Sequence, residues 1–251
     1  MKMPSVGPRI SLIAFLSLAL AACGQSQPEA PSAVGQSEPV QSGTPSANDA
    51  SPSALSPQAT CPPVKIGYTR ETIYPIGSSA GADIEYEVSS TGRPTFAKIY
   101  LRATANAFAD RRNTDCQAVA AARGKRPGVL YDGGHHIAAV YGGAGTLENL
   151  VPMERSFNRG NYRSVEYVVD KCRKAKALIR DVTLTVTPVY TTIFSGQGSE
   201  EPGYFRINVS ITRTDGSAYG EPITLYNQQN YSTNVAELDR LRTQIGDRYC
   251  T

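Results

Sequence analysis

The sequence predicts an α+β fold built on antiparallel or mixed β-sheet. Three observations carry this. Apolar residues alternate with polar ones over Ala82–Val88, over 182–190 and over Tyr204–Arg213, the period of a half-buried strand. Apolar residues recur at helical spacing in two places, after Arg159 and from Val235 to Ile245. The order is strands, a helix, more strands and a last helix, which suits antiparallel sheet better than repeated βαβ units. With 251 residues, 40% of them hydrophobic, the chain can bury one main core. A formal charge of +3 permits an anionic substrate and excludes a polybasic, histone-like binder. Only 2 histidines are present, which excludes a multi-histidine metal cage.

In chain order, the first element is a targeting segment. Lys2 and Arg9 precede 13 almost wholly apolar residues, Ile10 to Ala22, the layout of a secretory signal and too short for a spanning helix. It ends Leu20-Ala21-Ala22-Cys23-Gly24, which resembles a bacterial lipobox; Cys23 would then be the lipidated first residue of the mature protein. Gly24 is not the Asp that favours inner-membrane retention in such lipoproteins, so the resemblance implies attachment to an outer membrane. Gly24 to Thr60 holds six Pro and eight Ser in 37 residues, with no aromatic and no Lys or Arg. Such a stretch buries too little apolar surface to offset ordering entropy. It reads as a tether with a root-mean-square reach of roughly 30–35 Å. The organisation is thus a signal over 1–22, a tether over 23–60 and a folded domain over 61–251.

In the domain, Ile84, Tyr86 and Val88 mark a strand, Ser89 to Pro94 is turn chemistry, and 95–101 reads as the return strand. The helix beginning near Arg159 places Val165, Val168, Val169 and Cys172 on one stripe. Strands follow at 182–190 and 204–213. Asp215-Gly216 turns, and 222–226 is a further short strand. The last helix spans about Val235 to Ile245, with Asn234 as its cap and Glu237 three residues on. Four cysteines remain in the domain, and an even count in an exported protein reads as two disulfides with three possible pairings. The expected pairing is Cys61–Cys250, closing the ends, and Cys116–Cys172 inside.

Chemistry concentrates between 132 and 166. His135 and His136 are the chain's two histidines and follow Asp132-Gly133-Gly134, a backbone that turns sharply or admits a close ligand. Asn158, Tyr162 and Glu166 are four residues apart, so on a regular helix they share roughly one face, with Val165 and Val169 opposite. An amide oxygen and a carboxylate are hard ligands suited to Mg²⁺. Singly, each feature has a plainer reading as a turn, a helix cap or a solvated carboxylate. Together they make a compact acid–base and metal set.

Asp132-Gly133-Gly134-His135, Ile137-Ala138, Gly142-Gly143, Asn149-Leu150-Val151-Pro152, Asn158-Arg159-Gly160 and Glu166 together resemble the DNA/RNA non-specific endonucleases, which are His-Me finger or ββα-metal nucleases. The branch most similar is that of bacterial secreted toxins. The resemblance implies a ββα-metal core, a Mg²⁺ (or Mn²⁺) cofactor, and DNA, RNA or both as substrate and partner. It also admits an inhibitor protein as partner. By the same resemblance His135 is the general base that activates water, Asn158 the direct metal ligand, Glu166 a residue acting on the metal's waters, and Asn149 a supporting residue. Products would carry 5′-phosphates. Many members have Arg where this chain has Gly133; Arg126, Arg159 and Arg163 are candidates to replace that phosphate contact. His136 stands where an apolar residue is common, and it either packs or touches substrate. The rival reading is a catalytically silent envelope lipoprotein of the same fold that binds nucleic acid or a partner.

Overall fold

A computed structural model describes residues 60–104 and 106–251. The signal, Cys23 and the tether up to residue 59 lie outside the described residues. Six strands form one antiparallel sheet: β1 (Gly67–Ile73), β2 (Ala82–Val88), β3 (Pro94–Arg102), β6 (Ile179–Val189), β7 (Tyr204–Arg213) and β8 (Ala218–Tyr226), side by side in that order. Strands β3 and β6 are neighbours in the sheet, with Leu101 opposite Val182. Between them the chain leaves to build a separate module. That module comprises α1 (Thr114–Ala121), β4 (Tyr131–His135), a 3₁₀ turn (Ala139–Tyr141), β5 (Leu150–Glu154) and a helical run ending in α3 (Arg163–Lys174). Helix α4 (Asn234–Leu241) and a π-turn (Arg242–Asp247) close the domain.

The alternation seen in sequence has its physical cause here. One face of the sheet carries Ile84, Ile99, Leu101, Val182, Leu184, Val186, Ile207 and Val209, all at most 1% exposed. Against them pack Phe157, Tyr162, Val165 and Val169 from the helical run. Each such side chain contributes roughly 1.5–3 kcal/mol by leaving water. The strands expected over 82–88 and 204–213 have those bounds, and the 182–190 strand begins at Ile179.

The helical run departs from expectation in an informative way. It starts earlier than Arg159, at α2 (Arg155–Phe157), because the Glu154 carboxylate accepts from the backbone N–H groups of Ser156 and Phe157. Asn158–Tyr162 is then a π-turn before α3 resumes regular geometry. The wider turn breaks the four-residue face expected of Asn158, Tyr162 and Glu166. Tyr162 is 1% exposed and lies in the core with Val165 and Val169, and its hydroxyl donates to the His136 carbonyl at 2.6 Å.

Other corrections concern the ends. Asn234 is not a cap. It is fully buried, accepts from Tyr226 N–H and donates to the Tyr226 and Gln228 carbonyls, so it stitches α4 to β8. The disulfides are Cys61–Cys116 and Cys172–Cys250, not Cys61–Cys250 and Cys116–Cys172. The reason is that each chain end packs on a different helix of the inserted module. The N-terminal segment lies beside α1, held by Lys65 N–H on Glu148 Oε1 at 2.9 Å. The C-terminal turn folds back on α3, where Lys171 Nζ meets Asp247 Oδ1 at 2.9 Å.

Candidate active site

Strands β4 and β5 pair antiparallel, with Gly133 opposite Pro152 and His135 opposite Leu150. The ladder ends as His136 N–H donates to the Asn149 carbonyl at 2.9 Å. Successive side chains on a strand point to opposite sides, and the two histidines separate accordingly. His135 faces a cleft of about 490 Å³ that Asn158 and Glu166 also line. His136 is fully buried, edge-on to Phe205, and neither ring nitrogen has a hydrogen-bond partner among the described residues. His136 is therefore a packing residue and not a substrate contact.

Asn149 lies behind the site. Its Oδ1 accepts from Ile137 N–H at 2.8 Å, and its Nδ2 donates to the Ile137 and Ala144 carbonyls at 2.8 and 2.9 Å. Every polar atom of this buried amide is used, so it braces the chain just beyond the histidines and has none left for a ligand.

Asn158 is held differently. Its Nδ2 donates to Asp132 Oδ2 at 3.1 Å, which leaves Oδ1 without a protein donor among the described residues. Asp132 also receives Arg159 Nε at 2.9 Å and Arg155 Nε at 3.3 Å. Burial alone would raise the Asp132 carboxyl, but the bonds from Arg159 and Asn158 outweigh it and hold the group below its usual value. Asp132 thus stays charged and fixes which end of the Asn158 amide is offered to the cleft. Sequence inspection placed Asp132 in the motif but gave it no role, because its partners lie 23 to 27 residues away.

The titratable groups of the cleft are tuned by burial. The His135 imidazole is lowered to about 4, first by burial and then by the Arg112 charge, so it is neutral at pH 7 and able to accept a proton. The Glu166 carboxyl is pushed up to about 7 by burial, with Arg163 opposing. Perturbed groups converging in a cleft are a mark of functional sites. A second cavity shares His135, Asn158 and Arg159 with this cleft and is also lined by Gln117, Asp132 and Gly133.

Two of the arginine candidates lie at the site and one does not. Arg163 lines the cleft and Arg159 lines both cavities. Arg126 is buried with its Nε 2.6 Å from Glu201 Oε1, while its Nη2 donates to the Asn227 carbonyl at 2.7 Å. Its guanidinium is committed to a buried ion pair, so it is no phosphate contact. The absence of a side chain at Gly133 also has a structural cause. A Cβ there would lie 2.2 Å from the Gln117 carbonyl oxygen and 2.5 Å from its Cα. The backbone of α1 occupies the space an arginine stem would need. Arg112, 23 residues before His135, enters the cleft only through the fold; no local signal in the sequence marks it. Among the described residues no group of three or more His, Cys, Asp and Glu side chains gathers to hold a metal ion, and no helix is long and apolar enough to cross a membrane.

A family model described as DNA/RNA non-specific endonuclease matches residues 70–211, more than half of the chain. Among solved structures, the chain is similar to one described as the crystal structure of the EndoG/EndoGI complex, on the mechanism of EndoG inhibition. That likeness has a TM-score of 0.45 and 18% sequence identity, covering 65% of this chain and 81% of that one. No curated protein matches the sequence.

Proposed function

Because the chain belongs to the DNA/RNA non-specific endonuclease family, we propose that it is a metal-dependent endonuclease that hydrolyses phosphodiester bonds of DNA, RNA or both, with His135 activating water. The observation that carries this reading is the meeting of His135, Asn158 and Glu166 on one cleft, although they come from a strand, a π-turn and a helix.

His135 is neutral at pH 7 and takes a proton from water as the water oxygen bonds to phosphorus. The bond from phosphorus to the 3′ oxygen breaks, and that oxygen leaves and is protonated from solvent. The donor set fits a hard cation: Asn158 Oδ1 has no protein donor among the described residues, and Glu166 lines the same cleft. Mg²⁺ keeps most of its waters and needs few protein ligands, so Asn158 would hold it directly and Glu166 would hold its waters. Such an ion supplies positive charge for the phosphate and the departing oxygen. Asp132 orients Asn158, and Asn149 braces the loop that follows His135.

The test is cleavage of supercoiled plasmid with Mg²⁺ or Mn²⁺, with and without chelator. His135→Ala should lose about 10²–10⁴ in rate while still binding nucleic acid, and His136→Ala should act on stability instead. Asn158→Ala should be the more damaging metal-site change, with Glu166→Ala next. Undiminished cleavage in chelator, or full activity in His135→Ala, would refute the mechanism.

For the N-terminal segment, the reading best supported by sequence is a lipid anchor on Cys23, with the 23–60 tether holding a 61–251 nuclease domain away from an outer membrane. Cys23→Ala should release the protein into the soluble fraction. Wild type without acyl mass on Cys23 would end that reading.

A further inference from the structure

We propose that Tyr167, together with Val140 on the same cleft, stacks on the base that adjoins the cleaved phosphate, so that the site takes unpaired nucleic-acid strands in preference to duplex. The inference rests on the nuclease reading above and names the substrate class that this site selects.

The cleft that holds His135, Asn158 and Glu166 has two chemical characters. It is charged where Arg163 and Asp170 line it and apolar where Val140, Tyr141 and Tyr167 do. Val140 is 62% exposed and Tyr167 67% exposed. Single exposed apolar side chains are ordinary on a protein surface. Two large ones on the wall of a charged cleft present apolar area to whatever enters it. Tyr167 sits on the solvated side of α3, with Arg163 one turn before it and Lys171 one turn after. Its ring stacks on no other aromatic among the described residues, whereas Tyr219 lies on Tyr249 at 4.0 Å and Tyr226 on Tyr231 at 3.9 Å. A nucleotide has the same two characters, an anionic phosphate and an apolar base face. With the phosphate at His135 and Asn158, the adjoining base reaches the Tyr167 wall of the same cavity. Neighbouring bases cover that face inside a duplex, so the base must be unpaired or extruded to stack on a side chain. Every base has a π-face, so such a contact is indifferent to sequence.

The elements that carry the two side chains are held together. The 3₁₀ turn buries Ala139 and Tyr141 and leaves Val140, between them, exposed. The Tyr141 hydroxyl donates to the Glu166 carbonyl. That bond joins the chain neighbours of Val140 and Tyr167, so a buried hydroxyl sets the spacing of the turn from α3. Beneath Tyr167, α3 is anchored by Val165, Val168 and Val169 in the core and by the Cys172–Cys250 bond. A tyrosine ring on a fixed backbone has only two side-chain torsions to order, so it offers contact area at little entropic cost.

The chain has no tryptophan, so Tyr167→Trp introduces a single fluorescent reporter at the contact. It is made in His135→Ala and titrated, without metal, with a single-stranded oligonucleotide and with an abasic oligomer of the same length and charge. A base stacked on the indole should quench its emission, and the abasic strand should not. Equal quenching by both, or by neither, would overturn the proposal. On the same His135→Ala background, Tyr167→Ala should weaken single-strand binding about 5–150-fold, the effect of one lost base–aromatic stack. The slope of log K against log salt should stay unchanged, because no phosphate contact is lost. Tyr167→Phe should bind as the tyrosine does; a matching loss with phenylalanine would assign the effect to the hydroxyl and refute stacking. In turnover, Tyr167→Ala should lower kcat/KM for single strands by the same factor and for duplex by less. Tyr68→Ala, at a comparably exposed tyrosine on β1, should change neither. A single-strand to duplex ratio unmoved by Tyr167→Ala would also end the proposal. If wild type itself cleaves nothing, the nuclease reading fails, and the tryptophan emission still decides whether a base meets position 167.

Discussion

Replacing Gly133 by alanine isolates the contact between α1 and β4. The added Cβ would sit 2.2 Å from the Gln117 carbonyl oxygen, 2.5 Å from its Cα and 2.7 Å from its carbonyl carbon. All three atoms are backbone, so no rotamer change relieves the clash; α1 must lift or β4 must bend. Overpacking costs typically 1–3 kcal/mol, and a clash with backbone belongs at the upper end, about 3 kcal/mol. Lifting α1 is opposed by the Cys61–Cys116 bond one residue from Gln117. For a domain of this size about 3 kcal/mol corresponds to a fall in Tm of roughly 6–12 °C. His135 stands two residues further along the same strand, so turnover should fall by about 10²-fold if it moves by 1 Å. The assays are thermal unfolding and plasmid cleavage on the same preparation. Gly134→Ala is the contrast: its Cβ meets the flexible Met153 side chain at 2.3 Å, while Asn158 Oδ1 lies 3.0 Å away. It should cost less stability but still impair turnover. Wild-type Tm and wild-type turnover in Gly133→Ala would refute the account of why this position is glycine.

His136→Leu should stabilise the protein, because two unpaired ring nitrogens leave the core, a gain of about 1–3 kcal/mol. Burial, then the neighbouring His135, lowers the His136 imidazole to about 3. The unfolded chain therefore takes up a proton below pH ~6.5 that the folded chain refuses, and stability falls by up to about 1.4 kcal/mol per unit as pH drops from there toward 3. Urea unfolding at pH 8 and pH 5 should show a larger gain from His136→Leu at pH 5; an equal gain at both would contradict the assignment. Arg126→Ala should cost about 3–5 kcal/mol by stranding the buried Glu201 carboxylate. It should leave the salt slope of nucleic-acid binding unchanged, and a flatter slope would return Arg126 to the phosphate site.

The parts of the fold that could be read in advance are those where burial alternates at a constant period. Strands β2 and β7 bury every second residue, and their bounds follow from that pattern alone. Strand β4 could not be read this way, since Tyr-Asp-Gly-Gly-His has no apolar alternation and owes its pairing to β5. Helix α1 buries only Cys116 and Ala120 and carries almost no amphipathic signal. At the site, His135, Asn158 and Glu166 were recognisable through the family resemblance of their motifs and do share a cleft. The π-turn that separates Tyr162 from them was not, because an extra residue in a helical turn leaves no mark on residue type. Arg112 and the role of Asp132 depend on chain segments that meet only after folding. The disulfide pairing depends likewise on which helix each chain end crosses.

The insertion, between β3 and β6, of the module that carries the cleft bears on how the chain folds. Strands β1 to β3 form one meander and β6 to β8 another, each from consecutive strands. The two meet at a single seam, where Arg102 must find Asp181. Closing that loop in an unstructured chain costs entropy that grows by only about 0.6 kcal/mol per doubling of length, but contacts so distant in sequence slow the search. A module in which α1, β4 and β5 have already condensed shortens the effective loop, and α3 brings an apolar face to β6 at the seam. Prior ordering of this inserted segment would then speed the joining of the two halves of the sheet.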